Sequence, residues 1–181
     1  LSTADASGDF IVETACDSSN DMSAISPDEF RELLGAHASG VTIVTAVDRT
    51  GQVAGMTATA VSSVSLDPPL IMACVNHNDP LHECLNDAAV FAVNVLTSEQ
   101  VHLSKAFAGD AEQRFAGIDY EAGPDGVPLL TDALAYVICS LWQIYPAGDH
   151  TIFLGLVTGG RAATGKPLLH FRGDYKTTTD L

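Results

Sequence analysis

Positive charge is scarce in this chain: 8 Lys and Arg stand against 23 Asp and Glu, a formal net charge of −15 over 181 residues. A field of that sign repels nucleic acid and anionic membranes at long range, which argues against either as a partner. It also opposes anionic cofactors, so a phosphate would need a local positive site stronger than the overall field. Cysteine is sparse and unpatterned. Cys16, Cys74, Cys84 and Cys139 form no CxxC pair, so neither a disulfide framework nor a zinc ribbon is indicated. No apolar run reaches membrane-spanning length, and the opening LSTADASGDF lacks the basic segment and apolar core of a secretion signal, so the chain reads as cytoplasmic. Also missing are a GxGxxG turn, a GxxxxGK[ST] loop, a GxSxG elbow and any internal repeat.

What is present, 46% hydrophobic against 17% charged residues, suits one globular domain with a proper core. Residues 1–24 carry Asp5, Asp9, Glu13, Asp17 and Asp21 with no Lys or Arg, and read as an acidic flexible arm ahead of a domain over 25–181. The run S-P-D-E from Ser26 predicts a capped helix, stapled by Ile25 and Phe30. Its apolar stripe is Phe30, Leu33, Leu34 and His37, ending near Gly40.

From Val41 the pattern becomes β-branched: VTIVTAV, a DRTG turn (Asp48 to Gly51), and a partner strand that runs on until Asp67-Pro68-Pro69 stops it. LIMACV (Leu70 to Val75) reads as a buried strand, and Asp79-Pro80 opens a short helix through Leu81, Cys84 and Leu85. AVFAVNVL (Ala89 to Leu96) is another strand, Ser98 to Phe107 another helix, and Gly109 to Pro128 a long irregular connection. Two long strands, Ala133 to Pro146 and His150 to Ala163, flank an Ala147-Gly148-Asp149 turn, and Leu168 to Tyr175 forms a last strand. Strands outnumber helices and follow one another through hairpins. The fold class is mainly β with helices, an antiparallel barrel rather than a doubly wound sheet.

The stretch GMTATAVSSVSLDPPL (Gly55 to Leu70), taken as one strand, puts Thr57, Thr59, Val61, Ser63 and Ser65 on one side and a mostly apolar set on the other. That ladder of hydroxyls is either a solvated sheet face or a grip for a flat ligand with polar edges. Cys74, His77, His82 and Cys84 lie close together but match no usual zinc spacing. Gly148-Asp149-His150 is either hairpin punctuation or a ligand site.

Seven segments in collinear order combine these features: GVTIVTA at 40–46, GMTATAVSSVSLDPPL at 55–70, FAVNVL at 91–96, FAG at 107–109, PLL at 128–130, AGDHTIFLG at 147–155 and PLLHFRGDY at 167–175. Together they resemble the short-chain flavin reductase family, the reductase components of two-component flavin-dependent monooxygenases. The resemblance implies an antiparallel split β-barrel, usually a homodimer with the flavin near the subunit interface. It implies reduction of FMN or FAD by NADH or NADPH, with reduced flavin passed to a separate monooxygenase. With so few basic residues to meet a 2′-phosphate, NADH is the favoured donor. The alternative is a non-catalytic flavin carrier or sensor on the same fold.

Carried over by residue, the resemblance places the flavin ring and ribityl chain on Thr57, Ala58, Thr59, Ala60, Val61, Ser63 and Val64. The flavin phosphate falls on the segment Asn78 to Cys84, including Asp79 and Cys84. Many members carry Ser, Thr or a basic residue there. Here an acidic N-cap, Asp79, adds a like charge, and weak or exchangeable flavin binding is expected. His150 is the candidate catalytic residue, positioning the nicotinamide, with Arg172 and Tyr175 near the same ligand.

Overall fold

The structure, a computed structural model, describes residues 24–179; the acidic arm expected over 1–24 falls outside them but for Ala24. In chain order the elements are α1 (Pro27–Gly35), β1 (Ser39–Gly40), β2 (Thr42–Val47), β3 (Val53–Ala58), β4 (Val61–Leu66), β5 (Pro69–Asn76), α2 (Pro80–Asp87) and β6 (Val90–Val95). Then follow α3 (Val101–Phe107), β7 (Tyr120–Ala122), β8 (Pro128–Leu130), β9 (Ala135–Ala147), β10 (His150–Ala162), β11 (Leu169–Phe171) and β12 (Asp174–Lys176).

The main sheet has seven strands in the order β3-β2-β6-β9-β10-β5-β4, each pairing antiparallel. Its two edges, β3 and β4, are consecutive in the chain, separated only by Thr59 and Ala60. A flat sheet of this order would hold those edges about 29 Å apart at ~4.8 Å per strand. A two-residue link spans at most about 11 Å from Cα to Cα. The sheet therefore curls into a split barrel.

This geometry corrects the reading of Gly55 to Leu70 as one strand. The run breaks at Thr59–Ala60, β3 pairing with β2 and β4 with β5, and β4 carries a register shift between Ser63 and Ser65. No Gly or Pro marks the break, because the tertiary closure imposes it. LIMACV is likewise only half buried. Ala73 and Val75 enter the core, while Leu70, Met72 and Cys74 alternate to the outer face.

Inside the barrel, Val44, Ala73, Val75, Phe91, Cys139 and Phe153 form the core, closed at one end by Leu81, Cys84 and Leu85 of α2. Burial pushes the Cys84 thiol up to about 11, helped by the nearby Asp48 and Asp87 charges, and burial alone pushes Cys139 up to about 12. Both are inert packing groups. Gly155 sits against Phe91 so closely that a Cβ there would lie 2.5 Å from the ring. A second core packs α3 through Leu103 and Phe107 against Ile43, Leu96 and Leu168.

Three local expectations are revised. The third helix begins at Val101, three residues late, because Gln100 Oε1 accepts the Thr97 N–H at 3.0 Å and Ser98 N–H is drawn to the Lys166 carbonyl at 2.9 Å. The connection after Gly109 contains a small hairpin, β7 with β8. The final segment is a hairpin, β11 with β12, turned at Arg172 (φ 50°) and Gly173 (φ 83°), rather than one strand.

The helix cap at Ser26 forms as the spacing predicts: Ser26 Oγ accepts the Glu29 N–H and the Glu29 carboxylate accepts the Ser26 N–H at 2.9 Å. The stripe beneath it stays uncovered by the described residues, with Phe30, Leu33 and Leu34 each more than half exposed.

Candidate functional site

The Thr59–Ala60 link lies between two surfaces. On one side, Thr59 opens onto a cleft of about 960 Å³ whose walls are α1 (Phe30, Leu33, Leu34) and the β11–β12 hairpin (His170, Arg172). On the other, the Ala60 carbonyl accepts the Cys74 N–H at 3.0 Å and continues the ladder across β5, where Cys74 faces Ile152 of β10. His150 starts β10 opposite Asn76, and by alternation shares the outer sheet face with Ile152 and Cys74. Ala60 and His150 are thus brought to one surface, two strands apart. Thr59, Ala60, Ser63 and Val64 are exposed, and Val61 turns toward the core.

Not every expected residue reaches this surface. Ala58 is buried, its carbonyl held by the Thr42 hydroxyl at 2.7 Å. The Thr57 hydroxyl is spent on the Ser104 carbonyl at 2.7 Å, while Ser104 Oγ meets the Tyr175 hydroxyl at 2.9 Å. Ser104, fully buried on α3, therefore joins Thr57 to Tyr175 behind the cleft. Thr57 Oγ1 keeps its acceptor lone pairs but no free proton.

Asp79 caps α2, its carboxylate accepting the Leu81 N–H at 3.0 Å. The same carboxylate pairs with Arg114 at 2.9 Å, with side-chain exposures of 10% for Arg114 and 12% for Asp79. Arg114 also donates to the Gly55 carbonyl at 2.8 Å and to the Gly109 carbonyl at 3.2 Å. The like charge that Asp79 would present to a phosphate is thus met locally by a guanidinium. Arg114, Pro80 and the buried Cys84 line a smaller cavity of about 240 Å³, separate from the large cleft. Asn78 is exposed, its N–H bonded to Asn76 Oδ1 at 2.8 Å.

At His150, Asp149 Oδ1 lies 2.7 Å from Nδ1, and this hydrogen bond is the main cause holding the Asp149 carboxyl below its ordinary range. An ionised carboxylate only accepts, so Nδ1 carries a proton and a neutral His150 presents the Nε2 lone pair as acceptor. Gly148 (φ 68°) makes the two-residue turn that sets this pair at the barrel rim.

Sequence reasoning missed Arg114, a lone cation in an acidic connection; its signal was that a basic residue is costly to spend where so few exist. It also missed Ser104, which carries no motif. His77 and His82 were weighed only as metal ligands, whereas both rings turn to Thr151, at 3.0 and 2.9 Å from its hydroxyl.

Comparison with known proteins gives a consistent result. Residues 34–179 match the family model described as a flavin reductase like domain. A probable flavin reductase of Rhizobium meliloti is 42% identical over 151 residues, covering 83% of this chain; the chain spans 49%, about half, of that relative's length. The reductase subunit of a flavin-dependent monooxygenase from Rhodococcus jostii is 36% identical, covering 84% of this chain and 78% of its own. Among solved structures, an NADH:FAD oxidoreductase of Streptomyces globisporus in complex with NAD and FAD fragments superposes with a TM-score of 0.80 at 32% identity, covering 87% of this chain and 98% of its own.

Proposed function

Because the chain belongs to the flavin reductase-like domain family, we propose that it is an NAD(P)H:flavin oxidoreductase, using NADH to reduce FMN or FAD and supplying the product to a separate flavin-dependent monooxygenase. The observation that carries this reading is the open rim at Thr59–Ala60, uncharged, exposed, and on one sheet face with an acceptor histidine.

The residues present fit a flavin. A tricyclic ring with carbonyl and ring-nitrogen edges needs neutral donors and an unobstructed slot, and the rim offers the hydroxyls of Thr59 and Ser63 with no ionised side chain among them. When bound, the flavin supplies the hydride-accepting ring, and the reduced nicotinamide supplies the hydride. The protein's share is orientation. His150 Nε2, made an acceptor by Asp149 on Nδ1, suits the amide N–H of a nicotinamide and fixes which way that ring lies. Tyr175, held by Ser104, and Arg172, on a left-handed turn at the cleft wall, bound the ligand from the other side. Arg114 offsets Asp79, so exchange of the flavin is governed by few charged contacts.

Mixing the protein with NADH and FMN and following nicotinamide absorbance tests the activity. Catalytic decay is expected; binding of FMN with no decay would replace the reading by a carrier or sensor. His150→Ala is expected to raise the NADH KM about tenfold while moving the FMN Kd less than about twofold, as the loss of one ligand hydrogen bond would. Equal effects on both constants would remove His150 from the nicotinamide site.

The assembly we propose is a homodimer. The outer face of β5 and β10 carries Leu70, Met72, Cys74, Ile152, Leu154 and Leu156, partly exposed and outside every core cluster of the described residues. A contiguous apolar sheet face of this kind on a soluble domain marks an interaction surface. Light scattering on the eluting protein is expected to give twice the chain mass, and Met72→Lys combined with Leu154→Lys to give a monomer. A wild-type monomer would refute the assembly.

A further inference from the structure

Beneath the rim, Thr151 is 5% exposed and its one hydroxyl lies between two imidazoles, His77 Nε2 at 3.0 Å and His82 Nε2 at 2.9 Å. The two rings meet edge to face at 4.9 Å, and His82 rests on Phe153 at 5.7 Å. His77 reaches both β10 and the turn before it: its ring bonds to Thr151 and its backbone N–H donates to the Asp149 carbonyl at 3.1 Å. Those two partners are the residues on either side of His150. His150 is therefore bracketed by a residue whose side chain lies on the opposite face of the strand.

The donor inventory gives this cluster a direction. With Asn86 Nδ2 donating to His82 Nδ1 across 3.4 Å, a neutral His82 carries its proton on Nε2 and donates to Thr151. The Thr151 proton then goes to His77 Nε2, the other hydrogen-bond partner found for that hydroxyl among the described residues. His77 is left protonated on Nδ1, which faces away from Thr151. The chain of bonds in this arrangement runs from Asn86 through His82 and Thr151 to His77.

We propose that His77, Thr151 and His82 form a latch that holds β10 to α2 and positions His150 for the nicotinamide, a role that rests on the reading of His150 given above. None of the three need touch the ligand: they act through the backbone at Asp149 and Thr151. This assigns to both histidines a positioning role distinct from metal binding.

Two substitutions at Thr151 separate the latch from ordinary packing. Thr151→Val removes the hydroxyl and keeps the bulk, whereas Thr151→Ser keeps the hydroxyl. Thr151→Val is expected to raise the NADH KM about tenfold with the FMN Kd changed less than about twofold, and Thr151→Ser to stay near wild type. Long-range proton–nitrogen NMR of the histidine rings should find His82 as the Nε2–H tautomer and His77 as the Nδ1–H tautomer. Both preferences should be lost, and the His150 ring resonances moved, in Thr151→Val but not in Thr151→Ser. An unchanged KM and unmoved His150 resonances in Thr151→Val would overturn the proposal. So would a KM and an FMN Kd that worsen together with the melting temperature, since that is the mark of general loosening. Should the wild-type protein oxidise no NADH, the activity reading fails, and the His150 resonances alone decide whether the latch positions that ring.

Discussion

Arg114→Ala is expected to cost about 3–5 kcal/mol of unfolding free energy, the range seen when one member of a buried ion pair is removed. The loss comes chiefly from what is left behind. Asp79 keeps its carboxylate largely out of water with only the Leu81 N–H to satisfy it, and the carbonyls of Gly55 and Gly109 lose their guanidinium donor. Asp79→Asn placed on the Arg114→Ala background should recover part of the loss, because it removes the stranded charge while keeping a capping oxygen. Urea denaturation of the two single variants and the double variant closes the cycle. A double variant no more stable than Arg114→Ala would mean that the guanidinium acts mainly by tying the Gly109 connection to β3, and not by balancing Asp79.

Gly155→Ala should destabilise the barrel by about 3 kcal/mol, the upper end of what overpacking a well-filled core usually costs. The added methyl would meet Phe91 Cζ at 2.5 Å and Cys139 Cβ at 2.6 Å, both far inside contact distance. Neither neighbour can retreat easily. Phe91 and Cys139 are fully buried and directly paired across β6 and β9, so displacing one strains the other. The backbone already bends at this position, where the β9–β10 register shifts between Leu154 and Gly155. Thermal unfolding provides the measurement. Combining Gly155→Ala with Phe91→Leu tests the mechanism, since a smaller ring-site side chain should recover stability if steric conflict is the cause. No recovery would point instead to a backbone requirement for glycine at the bulge.

Much of this architecture was legible in the chain because its signals are local. The Ser26 cap, the Asp79-Pro80 helix start, the tight turn at Gly148-Asp149 and the β-branched runs each rest on residues within a few positions of one another. What the sequence hid is decided at long range. The hydroxyl-rich run from Gly55 alternates convincingly as one strand, yet barrel closure forces its two halves onto opposite sheet edges. Thr57 looks like a ligand donor until α3 arrives with the Ser104 carbonyl to accept its one hydrogen bond. Asp79 looks repulsive to phosphate until Arg114, 35 positions later, folds over it. Single polar groups are read wrongly from sequence whenever their partner comes from a distant segment, and the partner decides what remains for a ligand.

The link of Thr59 and Ala60 has a consequence for how such a molecule can diversify. A length change in an ordinary surface loop leaves its scaffold untouched. Here the staves on both sides of the joint are the first and last of the barrel, so one inserted or deleted residue would alter circumference and rim together. New ligand preferences must therefore arise by exchanging side chains at constant length, with the joint itself acting as the gauge that keeps the barrel's girth fixed.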